Sequence, residues 1–189
     1  ETHKYIGAVS FHSWRGCDDV TLRKWADAAK EINVPLLVGE GSTDAAAHGY
    51  AEIFNESTFA LYEINLYTRI CAICQPLSIL QWQLTSDYSL LWGDGIYGSK
   101  GPLRPTQRFW NIKQLASTPA DALAIPVSSS KKNVNCAAFG NMVRGEYAVH
   151  MVNNGADCEA VISGIPAEVK KLKVYVTNTK DCMKETAVK

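Results

Sequence analysis

Apolar residues along this chain fall into short continuous runs, divided by stretches whose apolar positions recur every three or four residues. The first run, "YIGAVSF", spans positions 5–11 and predicts a strand. In "DDVTLRKWADAAKEIN", Leu22, Trp25, Ala26, Ala29 and Ile32 share one helical face, and Asp18 and Asp19 suit a helix N-terminus. "VPLLV", positions 34–38, is a run apolar at every position, as in a strand buried on both faces. Positions 50–74 read as helical, in two pieces. Ser57 is expected to cap the second, with Leu61, Ile64 and Ile70 facing inward and Pro76 stopping it. "LSILQWQL" predicts a third strand, "LLWGDGIYGSKGPLRP" a glycine-rich loop, and "TQRFWNIKQLAS" one more short helix.

Strands alternating with helices imply parallel strands joined by crossover helices. Each unit takes roughly 35 residues, the unit length of a (β/α)8 TIM barrel, which needs about 250 residues for eight. Only three strand-helix units are visible. After Ser117 the pattern changes. "TPADALAIPVSSSKKN" reads as a connection, and "VNCAAFGN", "EYAVHMVNN", "CEAVISGI" and "KLKVYVTNT" read as short alternating strands. The closing "KETAVK" carries no strand pattern. The expected fold class is therefore α/β plus all-β: the last three strand-helix units of a partial TIM barrel over residues 1–117, then a β-sandwich-like lobe over 118–189.

Composition narrows the function. Formal net charge is zero, which gives no argument for nucleic acid or an anionic membrane as partner, and no run approaches the ~18 apolar residues of a membrane span. Among the six cysteines, Cys71 and Cys74 form a C-x-x-C in a segment read as helical and buried. A zinc site would want a second such pair. His3, His12, His48 and His150 show no ligand spacing, so neither metal nor cofactor is expected.

Candidate chemistry collects where the parallel strands end, the rim at which barrel enzymes work. The first strand runs into "FHSW", with His12 and Trp14. The second runs into "GEG", with Glu40 between Gly39 and Gly41, two residues without side-chain bulk that would let another molecule come close. The third ends on Trp82. An imidazole, a carboxylate and indoles on one rim describe a sugar subsite, in which an aromatic ring stacks on the C–H face of a pyranose. Trp92 and Tyr97 in the glycine-rich loop either extend that platform or pack the loop down.

"YIGAVSFHSW", "PLLVGEGSTD", "SILQWQL" and "RPTQRFWNIKQLAS" together resemble the last three strand-helix units of a clan A glycoside hydrolase, closest to family 30. The resemblance covers residues 4–117, and the β lobe by position only. It implies a retaining O-glycosyl hydrolase acting on β-glycosidic bonds of a polysaccharide or glycoconjugate. Glu40 would be its nucleophile at the end of the seventh barrel strand. His12 would hydrogen-bond the sugar or the nucleophile, Trp82 would floor the subsite, and a secreted or periplasmic location would follow from the substrate.

The family's acid/base glutamate follows an asparagine at the end of the fourth strand. The Asn55-Glu56 pair comes after Glu40, within a helical stretch, so the role is not carried over. Asp87 and Asp94 have no spacing that recommends them. Half a barrel also leaves strand edges and a core face open, so the missing N-terminal half or a second chain is expected to cover them. Two other readings stay open at this stage: a non-catalytic carbohydrate-binding module, and a thiol-redox α/β domain using Cys71 and Cys74.

Overall fold

A computed structural model describes residues 2–44 and 49–187. Strands β1 (Val9–His12), β2 (Leu36–Gly41) and β3 (Ser78–Gln81) form a parallel sheet in that order, joined by α1 (Asp19–Glu31) and α2 (Ser57–Cys74). This is the expected βαβαβ arrangement, three strands wide and not closed into a barrel. Val9, Phe11, Leu36, Val38 and Ile79 meet Leu22 and Ala29 of α1 and Leu66, Tyr67, Ile70 and Cys74 of α2 in one core. The register sorts the opposite face: Ser10 and His12 alternate with Val9 and Phe11, and Leu80 follows Ile79.

The helix ends follow from local chemistry. Asp18 caps α1, its Oδ1 accepting from the amides of Val20 and Thr21 at 3.0 Å. Its bonds to Thr21, from hydroxyl and backbone, hold the Asp18 carboxyl below its usual range. The two-piece helix at 50–74 is present as a 3-10 turn, Ala51–Asn55, followed by α2. Ser57 opens α2 and is not its cap; Glu56 takes that place without a side-chain capping bond. Leu61, expected inward, is exposed. The helix ends at Gln75 in the left-handed region, just before Pro76.

After β3 the loop doubles back as an antiparallel pair, β4 (Leu91–Trp92) with β5 (Arg104–Pro105), and leads into α3 (Gln107–Leu115). Gly93 sits at φ +108, and a side chain there would meet the Pro102 carbonyl at 2.3 Å, so this turn needs glycine.

The remaining chain is all-β with boundaries that differ from expectation. β6 (Leu123–Ile125), β7 (Val134–Asn141) and β8 (Glu146–Asn153) form an antiparallel sheet, and β9 (Val174–Val176) pairs with β10 (Lys184–Thr186). β6 lies inside the segment read as a connection, and β10 inside the tail read as patternless. "CEAVISGI" forms no strand, and Val161 is 93% exposed. Alternation alone does not make a strand; a neighbouring edge must accept its hydrogen bonds. α2 packs against β7 and β8. Side-chain amides fasten that contact: Asn65 Oδ1 accepts from Asn135 and Asn154 at 2.6 and 3.0 Å.

Candidate active site

Glu40 belongs to β2 and does not merely follow it. The β1–β2 register runs Val9 to Leu36, Ser10 to Leu37 and Phe11 to Val38, then slips one residue so that His12 faces Glu40. In strict alternation Gly39 would have stood opposite His12. The bulge sets a carboxylate there, the re-aiming that bulges perform beside functional sites. The extra residue also appears against β3, where Val38 pairs with Ile79 and Gly41 with Gln81.

Two nitrogens converge on one carboxylate oxygen. Trp14 Nε1 donates to Glu40 Oε2 at 2.9 Å, and His12 Nδ1 lies 3.2 Å from the same atom. Oε1 accepts no hydrogen bond among the described residues. The carboxylate is partly exposed, with 28% of its side-chain surface open, and the imidazole is 54% open. Glu40 thus has one oxygen held by the Trp14 N–H beside the His12 ring, while the other accepts no hydrogen bond from the described residues.

The backbone beneath this pair is tied down. Ser13 N donates to the Glu40 carbonyl at 3.0 Å. Ser13 Oγ donates to the Ser42 carbonyl and accepts from Ser42 N. Ser42 Oγ in turn donates to Glu63 Oε1 at 2.9 Å, and Glu63 forms a two-pronged pair with Arg108 at 2.9 and 2.8 Å. The Arg108 side chain is fully buried, donates to the carbonyls of Tyr88 and Ser89, and lies against the rings of both Phe54 and Phe59. A chain of polar contacts therefore runs from the residues flanking Glu40 through α2 to α3. Sequence reasoning missed it. The available signal was Glu63 on the helical face shared by Phe59, Leu66 and Ile70: a carboxylate among core residues demands a buried cation.

Gly39 and Gly41 serve packing. A side chain on Gly39 would come within 2.7 Å of Ser10 Oγ; one on Gly41 within 2.6 Å of Ile79 Cγ2 and 2.8 Å of the Tyr67 hydroxyl. The close neighbour that the glycines admit is the protein itself. The Tyr67 hydroxyl donates to Gln81 Oε1, beside the strand end that leads to Trp82. Trp82 N donates to the Gly41 carbonyl at 2.8 Å, its side chain is exposed on the rim, and the Trp82–Gln83 peptide is cis.

Trp92 stands farther along an aromatic row. Trp14 meets Tyr88 edge-on at 4.8 Å, Tyr88 meets Phe54, Phe54 stacks on Tyr97, and Tyr97 stacks on Trp92 at 6.2 Å. Tyr97 also accepts from Tyr88 N at 2.7 Å, so it holds the loop down. Of the expected site residues, His12 and Trp14 each meet Glu40. Trp82 is joined to β2 through the backbone, and Trp92 only through the aromatic row.

Other acidic groups near this rim are engaged elsewhere. Asp44 accepts from Arg15 Nε at 2.6 Å, and Glu56 accepts from the Tyr50 hydroxyl at 2.7 Å. Asp87 and Asp94 are exposed in the loop. His48 lies outside the described residues. Cys71 and Cys74 lie in the last turn of α2, both buried, and burial pushes both thiols up to about 12. That is the reverse of a thiol-redox site, whose thiolate is stabilised at a helix N-terminus, so the thiol-redox reading is set aside. Among the described residues no group of three or more His, Cys, Asp or Glu side chains could hold a metal, and no helix is long and apolar enough to cross a membrane.

No family model and no curated protein matches this sequence. Among solved structures, the chain is similar to a GH30 endoxylanase from Clostridium papyrosolvens, with a TM-score of 0.72 at 11% identity. The similarity covers 98% of this chain and 44% of the endoxylanase, so the chain spans less than half the length of that enzyme. At that identity the likeness is one of fold: this chain has the architecture of a family-30-like C-terminal region, a partial α/β barrel followed by a β lobe.

Proposed function

We propose that this chain is the nucleophile-bearing part of a retaining β-glycoside hydrolase. In this reading residues 1–117 are the C-terminal part of its barrel and 118–189 its β-sandwich-like lobe. The observation that carries the proposal is the convergence of Trp14 and His12 on Glu40 Oε2 at the C-terminal ends of parallel strands, with Oε1 accepting no hydrogen bond from the described residues. Glu40 Oε1 attacks the anomeric carbon, and the bond from that carbon to the glycosidic oxygen breaks. The departing oxygen takes a proton from a general acid. Water, giving a proton to the residue that acted as the acid, then attacks the same carbon, the carbon–Oε1 bond breaks, and configuration is retained. Trp82 supplies the apolar floor for the sugar, and Trp92, beyond the aromatic row, an outer wall.

A retaining enzyme needs its second carboxyl about 5–5.5 Å from the first. On this reading the acid/base residue is supplied by the polypeptide that completes the barrel; Asp44, on the segment after β2, is already paired with Arg15. The sheet is open for such a partner: among the described residues β1 and β3 each have an unpaired edge, and Leu77 and Leu80 are 73% and 57% exposed. The partner is the polypeptide that completes the barrel, whether an earlier segment of a longer chain or a separate one. The similar structure is an endoxylanase, so xylan is the first substrate to test, and a secreted or periplasmic site follows from such a substrate. In the barrel-complete protein, Glu40→Gln should abolish turnover and leave the circular dichroism spectrum intact; retained turnover would remove Glu40 from the mechanism.

The lone carboxylate also favours a second reading, a carbohydrate-binding module without catalysis. It requires no turnover in the barrel-complete protein, together with calorimetric sugar binding that survives Glu40→Gln.

A further inference from the structure

Asn55-Glu56-Ser57 has the form Asn-x-Ser/Thr with a residue other than proline in the middle, and the form occurs once in the chain. That pattern is the acceptor for N-linked glycans and belongs on a surface connection. It falls on one here. Asn55 is the last residue of the Ala51–Asn55 turn, Ser57 is the first of α2, and Glu56 between them is extended at φ -75 and ψ 132. The pattern therefore lies between two helical pieces and inside neither.

Both groups that the pattern requires are free. The Asn55 side chain is engaged only through Oδ1, which accepts from Arg104 at 3.5 Å. Among the described residues its Nδ2, the atom a glycan would take, makes no hydrogen bond, and neither does the Ser57 hydroxyl. The amide nitrogens of Asn65, Asn111, Asn135 and Asn154, by contrast, all donate within the structure. Asn55 and Ser57 also line a surface groove of about 350 Å³, walled by Arg104, Gln107, Trp110 and Thr179. A glycan is added to the unfolded chain and must leave the folded one without displacing its core; this groove is the exit. Its lining residues lie off β1, β2 and β3, the sheet whose edges face the polypeptide that completes the barrel.

We propose that Asn55 carries an N-linked glycan. Its Nδ2 attacks C1 of an oligosaccharide held on a lipid diphosphate. A carbon–nitrogen bond forms, the bond from C1 to the diphosphate oxygen breaks, the lipid diphosphate leaves with the electron pair, and the amide gives up one proton. The proposal rests on the secreted location proposed above and not on the chemistry of Glu40.

The test places this chain behind a secretion signal in a eukaryotic host and reads its intact mass after affinity capture from whole-cell extract, so a variant that folds poorly still reports. The chain should carry the mass of one N-glycan. Peptide-N-glycosidase F should remove it and convert one asparagine, in the peptide containing position 55, to aspartate. Asn55→Gln and Ser57→Ala should each abolish the added mass, and Ser57→Thr, which keeps the hydroxyl, should retain it. The glycosylated and enzymatically released chains should share one circular dichroism spectrum, because the sugar leaves through the groove. Glu40→Gln should carry the same glycan, so failure of the hydrolase reading and failure of the glycan site are separable. A chain of unmodified mass, a glycan that survives Asn55→Gln, or a fold that changes when the glycan is released would overturn the proposal.

Discussion

Arg108→Met should be the most damaging single change outside the strands. The substitution keeps a long apolar side chain against Phe54 and Phe59 but removes every donor. Glu63 would then sit 1% exposed with only the Ser42 hydroxyl as partner, and the Ser89 carbonyl would lose a bond of 2.8 Å. Breaking a buried pair from one side costs about 3–5 kcal/mol, most of it from the charge left unpaired. With a denaturant slope of about 2 kcal/mol/M, the urea midpoint should fall by about 1.5–2.5 M. Replacing both partners, Glu63→Leu with Arg108→Met, should recover much of that loss, because no orphan charge remains. Urea unfolding followed by far-ultraviolet circular dichroism measures all three variants. A loss below about 1 kcal/mol for Arg108→Met, the size of an average point substitution, would refute the claim that this pair anchors the site.

Three further outcomes follow. Gly41→Ala, whose added carbon meets Ile79 and Tyr67 at 2.6 and 2.8 Å, should cost about 1–3 kcal/mol by overpacking. Gly39→Ala, which meets only the Ser10 hydroxyl that closely, should cost less in the same denaturation assay. Burial depresses the His150 imidazole from its ordinary 6.5 to about 4. The unfolded chain therefore binds the extra proton first, and stability from this residue is present above pH 6.5 and lost as pH falls toward 4. His150→Gln, which keeps a partner for Thr118, should flatten that part of the stability–pH curve. Iodoacetamide at about pH 8 should modify exposed Cys158 and Cys182 in the native protein, and Cys71 and Cys74 only after denaturation, as read by peptide mass mapping.

The α/β half of this fold is legible because each buried strand needs an unbroken apolar run and each covering helix an apolar face. Leu36, Leu37 and Val38, apolar in succession, carry that signal at the start of β2. The position of Glu40 at the rim follows from the same run. Its exact partner does not, because the facing of His12 depends on a one-residue bulge that no periodicity records. The Glu63–Arg108 pair joins residues 45 positions apart, and only the oddity of a carboxylate on the buried face of α2 points to it. The β lobe is the least legible part. β6 and β10 are three residues each, too short for alternation to register, and they exist because β7 and β9 offer them an edge. "CEAVISGI" has the better pattern and no such neighbour.

The central claim is that Glu40 attacks an anomeric carbon, and covalent trapping tests it most directly. A 2,4-dinitrophenyl 2-deoxy-2-fluoro-β-xyloside carries a leaving group that departs without a proton, so the reagent probes the nucleophile apart from any general acid. Incubation of the protein, alone and with its barrel completed, followed by peptide mass spectrometry, should place one fluorosugar on the peptide containing Glu40, and Glu40→Gln should abolish the adduct. A fluorosugar on any other carboxylate, or a barrel-complete protein that hydrolyses glycosides without ever labelling Glu40, would contradict the account.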